Sequence, residues 1–136
     1  MGLDVGERRI GVALSDPDCV LASPLGSIER MSPDADVERV LALAHEHGAG
    51  RIVVGMPLTL RGQRGPQARA ADTFRRSLTT VSDIPVMAWD ERLSTVEAER
   101  RLREAGGKPS TERGRTDAAS AAIILQSYLD SRKARS

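Results

Sequence analysis

The sequence predicts an α/β domain with a mixed central sheet and helices on both faces. Three observations carry this. The N-terminal segment holds short β-capable stretches with period-two alternation, broken by turn residues. After Ser32-Pro33, helical periodicity alternates with short apolar runs such as Ile52-Val53-Val54. No apolar run reaches the roughly eighteen residues of a membrane span, so the apolar faces must pack on one another.

Met1 to Val5 reads as a first strand and Gly6 to Arg9 as a turn. Ile10, Val12 and Leu14 alternate with Gly11, Ala13 and Ser15 in a second strand, which makes a hairpin with the first. Asp16-Pro17-Asp18 breaks it, and a third strand, irregular at Pro24 and Gly26, falls between Val20 and Ile28. Ser32 caps and Pro33 opens a helix in which Val37, Val40, Leu41 and Ala44 recur at helical spacing, ended by Gly48 and Gly50. Arg51 to Gly55 is a buried parallel-type strand, followed by a Gly- and Pro-punctuated loop from Met56 to Pro66. A helix with Ala71, Phe74 and Leu78 on one face comes next, then a strand from Ile84 to Trp89. Ser94 and Glu97 form a capping box opening a helix to about Ala105, and Gly106 to Arg115 reads as a loop. Thr116 caps a last helix with Ala118, Ala121, Ala122, Leu125 and Leu129 on its buried side. The predicted order is βββαβαβαα in one domain spanning residues 1–136, with about 130–136 as a basic tail.

At 136 residues the chain buries enough surface to fold without staples, and its one cysteine, Cys19, has no partner for an intramolecular disulfide. A reducing cytoplasm is the simplest reading, since nothing resembles a signal peptide. The net charge of +1 hides an uneven distribution. Residues 61 to 76 set Arg61, Arg64, Arg69, Arg75 and Arg76 against Asp72, and Arg100, Arg101, Arg103, Lys108, Arg113 and Arg115 follow. Such segments suit phosphate contacts, although ordinary solvated helix faces have the same charge.

Three elements each offer a carboxylate near an element end. Asp4 interrupts an apolar first strand, where it pairs with Arg8 or Arg9, is solvated, or binds a metal. Asp90 and Glu91 follow the strand ending at Trp89, at the end of the sheet where α/β sites are built, or they simply serve the next helix's dipole. Asp117 shares a face with Ala121, Ile124 and Tyr128 in the last helix, so it points inward at the helix mouth or acts as an N-terminal dipole partner. Together they suit hard divalent cations, because Mg²⁺ takes one or two protein carboxylates plus phosphate and water. Two such ions can activate water and stabilise a leaving oxygen. His45 and His47 share no helix face and complete no zinc site. With only Phe74, Trp89 and Tyr128 as aromatics, a stacking platform for single strands is not expected.

These residues fall in four motifs. Gly2-Leu3-Asp4-Val5-Gly6-Glu7-Arg8-Arg9-Ile10-Gly11-Val12-Ala13 resembles the opening strand-turn-strand of the YqgF/RuvX family. Val54-Gly55-Met56-Pro57-Leu58 with Gly62-Gln63-Arg64-Gly65-Pro66-Gln67-Ala68 resembles its central loop. Trp89-Asp90-Glu91-Arg92-Leu93-Ser94-Thr95 and Asp117-Ala118-Ala119-Ser120-Ala121-Ala122-Ile123-Ile124-Leu125-Gln126-Ser127-Tyr128-Leu129 resemble its acidic segment and last helix. Glu7 departs from the family, standing where Thr is frequent.

The resemblance implies an RNase H-like fold and a metal-dependent nuclease. It implies an acidic triad of Asp4, Glu91 and Asp117 holding one or two Mg²⁺ or Mn²⁺ ions, with Asp90 as an additional ligand. Arg8 and Arg92, with Arg61, Arg64, Arg113 and Arg115, are the expected phosphate contacts. The implied substrate is structured RNA, in 5′-end maturation of pre-16S rRNA. The alternative is branched DNA, as for a Holliday junction resolvase, which would need a symmetric dimer. An actin-like nucleotide-binding domain fits less well, since only one phosphate-binding-type hairpin is present, and an inactive binding domain fits less well because all three acids are present.

Overall fold

The computed structural model describes residues 1–59, 61–93, 100, 104 and 117–135. The strands are β1 (Gly2–Val5), β2 (Arg9–Ser15), β3 (Ala22–Glu29), β4 (Ile52–Met56) and β5 (Val86–Asp90). The helices are α1 (Pro33–Glu46), α2 (Pro66–Val81) and α3 (Asp117–Arg135), and a short 3₁₀ turn covers Glu91–Leu93. The strands form one sheet in the order β3-β2-β1-β4-β5. Its first half is an antiparallel meander and its second half is parallel, so the sheet is mixed as predicted.

Local chemistry explains the boundaries. Ser32 accepts a hydrogen bond from the Ala35 N–H and Pro33 follows, so α1 starts where predicted. It ends at Gly48, whose φ of +66° suits a residue without a side chain. Strand β3 is an edge strand, which tolerates Pro24, and the ladder slips between Val12 and Ala13 opposite it. Strand β5 runs one residue further than the apolar pattern shows. Asp90 is its last residue, paired with Met56, because the ladder to β4 holds its backbone whatever its side chain.

Period two divides β1 between two cores. Leu3 points into a cluster with Ile10, Ile28, Val37, Val40, Ile52, Val54, Phe74 and Leu78, covered by α1 and α2. The opposite face meets α3 through Ala121, Ala122, Ile124, Leu125, Tyr128 and Leu129. Two expectations for the last helix need correction. Its burial is not one-sided, since every residue from Ala121 to Leu129 is buried. Gln126 can lie there because its side chain hydrogen-bonds the Ala22 N–H and the Val20 carbonyl. The stretch read as a basic tail from about 130 continues α3 to Arg135, since polar charged residues are good helix formers. Of the predicted helix from Ser94 to about Ala105, the described residues Arg100 and Glu104 are helical, while the capping box, the loop from Gly106 to Arg115 and the Thr116 cap lie outside the described residues.

Candidate active site

Asp4 sits in the central strand, on the α3 side of the sheet, half-buried. Small residues surround it. Gly11 is its partner across the β1–β2 ladder. Strand β4 is the neighbour on the other side, with Leu3 opposite Val54, and continuing that register by one residue sets Gly55 beside Asp4. Both glycines are clearances. A Cβ at Gly11 would collide with the Asp117 carbonyl, and one at Gly55 would stand 2.5 Å from Ile124 Cδ1 and 3.3 Å from the Glu91 carboxyl carbon. With hydrogen in those places, α3 lies directly on the sheet. Asp117 then arrives over β2 and Glu91 over β4, with Asp4 between them.

The Asp117 charge reaches Asp4, and the Asp4 charge reaches Glu91. Burial pushes Asp4 above the ordinary carboxylate range, and the Asp117 charge adds to it. Burial, then Asp4, then Asp90 push Glu91 up to about 7. Among the described residues neither Asp4 nor Glu91 has an ion-pair partner. The sequence left open a salt bridge from Asp4 to Arg8 or Arg9. Instead Arg9 lies 3.7 Å from Asp117, and Arg8 is exposed in the β1–β2 turn. No three His, Cys, Asp or Glu side chains among the described residues already stand in a metal-binding group. The donor set is nevertheless all oxygen, half-buried and mutually repelling, which is the chemistry that favours a divalent cation.

Asp90 differs from its neighbour. Arg92 donates to both of its oxygens, with Nη2 2.5 Å from Oδ2 and Nε within 3.0 Å of each oxygen. The same hydrogen bonding holds the Asp90 carboxyl below the usual range. Arg92 also approaches the central loop, where a Cβ on Gly62 would come within 3.2 Å of its guanidinium. Arg61 is exposed in that loop, and Arg64 reaches from it to Asp72 at 3.2 Å. Arg113 and Arg115 lie outside the described residues. His45 and His47 are exposed, as expected of surface residues.

The strand-turn-strand around Asp4, the glycine clearances and the sheet order together narrow the comparison with known proteins. Residues 1–131 match the family described as "RuvX: Holliday junction resolvase". The chain belongs to the RuvX family. A relative from Chloroflexus aurantiacus, named "Putative pre-16S rRNA nuclease", is 47% identical over 98% of this chain and 87% of its own length. One of the same name from Symbiobacterium thermophilum is 48% identical over 98% and 93%. Among solved structures, Thermus thermophilus RuvC in complex with a Holliday junction substrate matches with a TM-score of 0.64. It covers 97% of this chain and 93% of RuvC at 17% identity, a likeness of fold. This RuvX-family chain thus has a RuvC-like RNase H fold, as its four motifs imply.

Sequence reasoning missed how the acids are brought together. Gly11 and Gly55 stood within the quoted motifs, but a glycine's use as clearance shows only once its neighbours across the fold are known. Ser127 also escaped sequence reasoning; its hydroxyl meets the Trp89 indole of β5 and the Leu93 carbonyl of the turn that carries Glu91.

Proposed function

We propose that this chain is a single metal-dependent nuclease domain acting in 5′-end maturation of pre-16S rRNA, with Asp4, Glu91 and Asp117 as its acidic triad. The observation that carries the reading is the convergence of these acids over Gly11 and Gly55, with Asp4 and Glu91 each pushed upward by burial and then by a neighbouring carboxylate. A protein retains such repulsion where function needs it. The name shared by relatives about half identical to this chain favours pre-16S rRNA as substrate.

Asp4, Glu91 and Asp117 would hold one or two Mg²⁺ or Mn²⁺ ions. When bound, such ions make water nucleophilic at neutral pH and stabilise the departing oxygen of a phosphodiester. Asp4 lies between the other two acids and would be the ligand common to them. Arg92 occupies Asp90 from both oxygens, so Asp90 serves chiefly to fix Arg92 beside the central loop and only secondarily as a ligand. Arg8, Arg92, Arg61, Arg64, Arg113 and Arg115 position the substrate backbone through phosphate contacts. Arg64 retains donors for this while paired with Asp72, since a guanidinium has five.

The second reading, a junction-resolving DNA nuclease, is favoured by the family's description and by the RuvC-like fold. The test offers a precursor 16S rRNA 5′ segment and a four-way DNA junction to wild type and to Asp117→Asn, with Mg²⁺, Mn²⁺ or EDTA. Metal-dependent RNA cleavage that disappears in the variant is expected, with the junction left intact. Paired, symmetric junction cuts without RNA cleavage would replace the first reading by the second. Failure to cut either substrate would overturn both.

A further inference from the structure

Ser127 lies in the middle of α3, buried at 6% exposure and ten residues from Asp117. A serine within a helix commonly returns its hydroxyl proton to the carbonyl one turn back. Ser127 sends its proton out of the helix instead. Its Oγ donates to the Leu93 carbonyl at 2.7 Å, across 34 residues of sequence. The same Oγ accepts the Trp89 indole N–H at 3.1 Å. Trp89 is further braced edge-on against Tyr128, with ring centroids 5.4 Å apart.

The two residues that meet at Ser127 flank the acidic segment. Trp89 lies two positions before Glu91 and Leu93 two positions after it. Strand β5 is an edge strand, so its ladder holds it on one side only. The 3₁₀ turn after it is three residues long, and the Arg92 N–H and guanidinium tie it back to Asp90 at the end of the strand. One hydroxyl therefore clamps both ends of a five-residue stretch to the helix whose first residue is Asp117. The β4 ladder holds the stretch up to Asp90, and the Ser127 contact with the Leu93 carbonyl ties its far end to α3.

We propose that Ser127 is a positioning residue that fixes the Glu91 turn against α3 by bridging the Trp89 indole and the Leu93 carbonyl. Its bearing on catalysis rests on the nuclease reading above, while the anchoring itself does not. The helix carrying one acid thereby sets the place of another.

The test compares wild type, Ser127→Ala and Ser127→Thr, which keeps the hydroxyl. Ser127→Cys keeps the shape with a weaker donor and serves if the alanine variant does not fold. Amide hydrogen exchange at residues 91–93 is measured without metal, Mn²⁺ binding is measured by titration, and kcat and KM are measured on RNA. Exchange at 91–93 is expected to quicken about tenfold in Ser127→Ala. Mn²⁺ binding weakens and kcat falls roughly tenfold with KM within about twofold, as for a misplaced reacting group. Ser127→Thr restores all of these. Unchanged exchange at 91–93 with unchanged Mn²⁺ binding in Ser127→Ala would overturn the proposal, whatever the variant's melting temperature. If wild type cuts no nucleic acid but exchange at 91–93 still responds to Ser127→Ala, the nuclease reading fails and the anchoring stands.

Discussion

Two sets of half-hidden and hidden acids in this molecule have opposite surroundings. Asp36 and Asp72 are the more buried pair, at 1% and 5% exposure, and each is matched by cations. Asp36 accepts from Arg30 Nε at 3.1 Å and from the Met31 N–H. Arg30 in turn donates to the Gly6 carbonyl and lies over the Phe74 ring, so this pair ties the β1–β2 turn to α1 and α2. Asp72 is held by Arg64, Arg75 and Arg76, at 3.2, 2.7 and 3.0 Å. Burial pushes its carboxyl up, but the three guanidiniums outweigh that and hold it below the ordinary range. Asp4 and Glu91 are pushed upward first by burial and then by neighbouring acids, and among the described residues no cation offsets either. Burial alone therefore does not mark a functional acid. What separates Asp36 and Asp72 from Asp4 and Glu91 is whether an arginine offsets the carboxylate's burial.

The largest expected effect lies on the repelling set. Asp4→Asn should reduce cleavage to background, a loss of at least roughly a thousandfold. The same change should raise the metal-free melting temperature, because it removes one of the opposed charges. Cleavage by Asp4→Asn at the wild-type rate would break the contrast at its centre. The matched set should answer in stability instead. Asp36→Asn leaves Arg30 without its buried partner, with an expected cost of about 3 kcal/mol in urea unfolding. A loss under about 1 kcal/mol would mean that Asp36 is no brace.

A pH experiment sharpens the comparison. Glu91 has a pKa of about 7 in the fold against 4.5 as a free side chain, so folding favours its protonated form. Its cost to stability is absent below about pH 4.5, grows as pH rises, and is complete above about 7. Metal-free wild type should thus lose melting temperature between those limits, and Glu91→Gln should flatten that slope. Asp72, held low, contributes in the opposite sense, with stability lost only as pH falls through the carboxylate range. Parallel slopes for wild type and Glu91→Gln in EDTA would refute the upward shift assigned to Glu91. The smallest effect concerns the exposed Arg61. Arg61→Ala should weaken RNA binding a few-fold and reduce the salt slope by about one. A salt response identical to wild type would remove Arg61 from the contact surface.

Much of the fold was open to reading. The alternation in β2, the Ser32 cap of α1 and the apolar run of β4 are local signals, and each element formed where its own residues favour it. Strand β5 ran on to Asp90, which period alone could not show, because a neighbouring ladder holds backbone irrespective of side chain. The basic end of α3 was misjudged for a related reason. Charge suggests solvent, yet solvent does not unwind a helix already nucleated by nine buried residues.

For the candidate site, the sequence by itself determined the inventory: three acids in three motifs, glycines nearby, arginines in the central loop, and a family resemblance that the comparisons uphold. Only the tertiary structure decided who meets whom. It gave Arg9 to Asp117 rather than to Asp4, both Asp90 oxygens to Arg92, and three arginines to Asp72. It also showed that Gly11 and Gly55 matter as the space that lets Asp117 and Glu91 approach Asp4. The physical reason is that periodicity and capping act over a few residues along the chain. Charge pairing and steric clearance act over a few ångströms in space, between residues that the sheet order brings together from as far apart as Gly11 and Asp117.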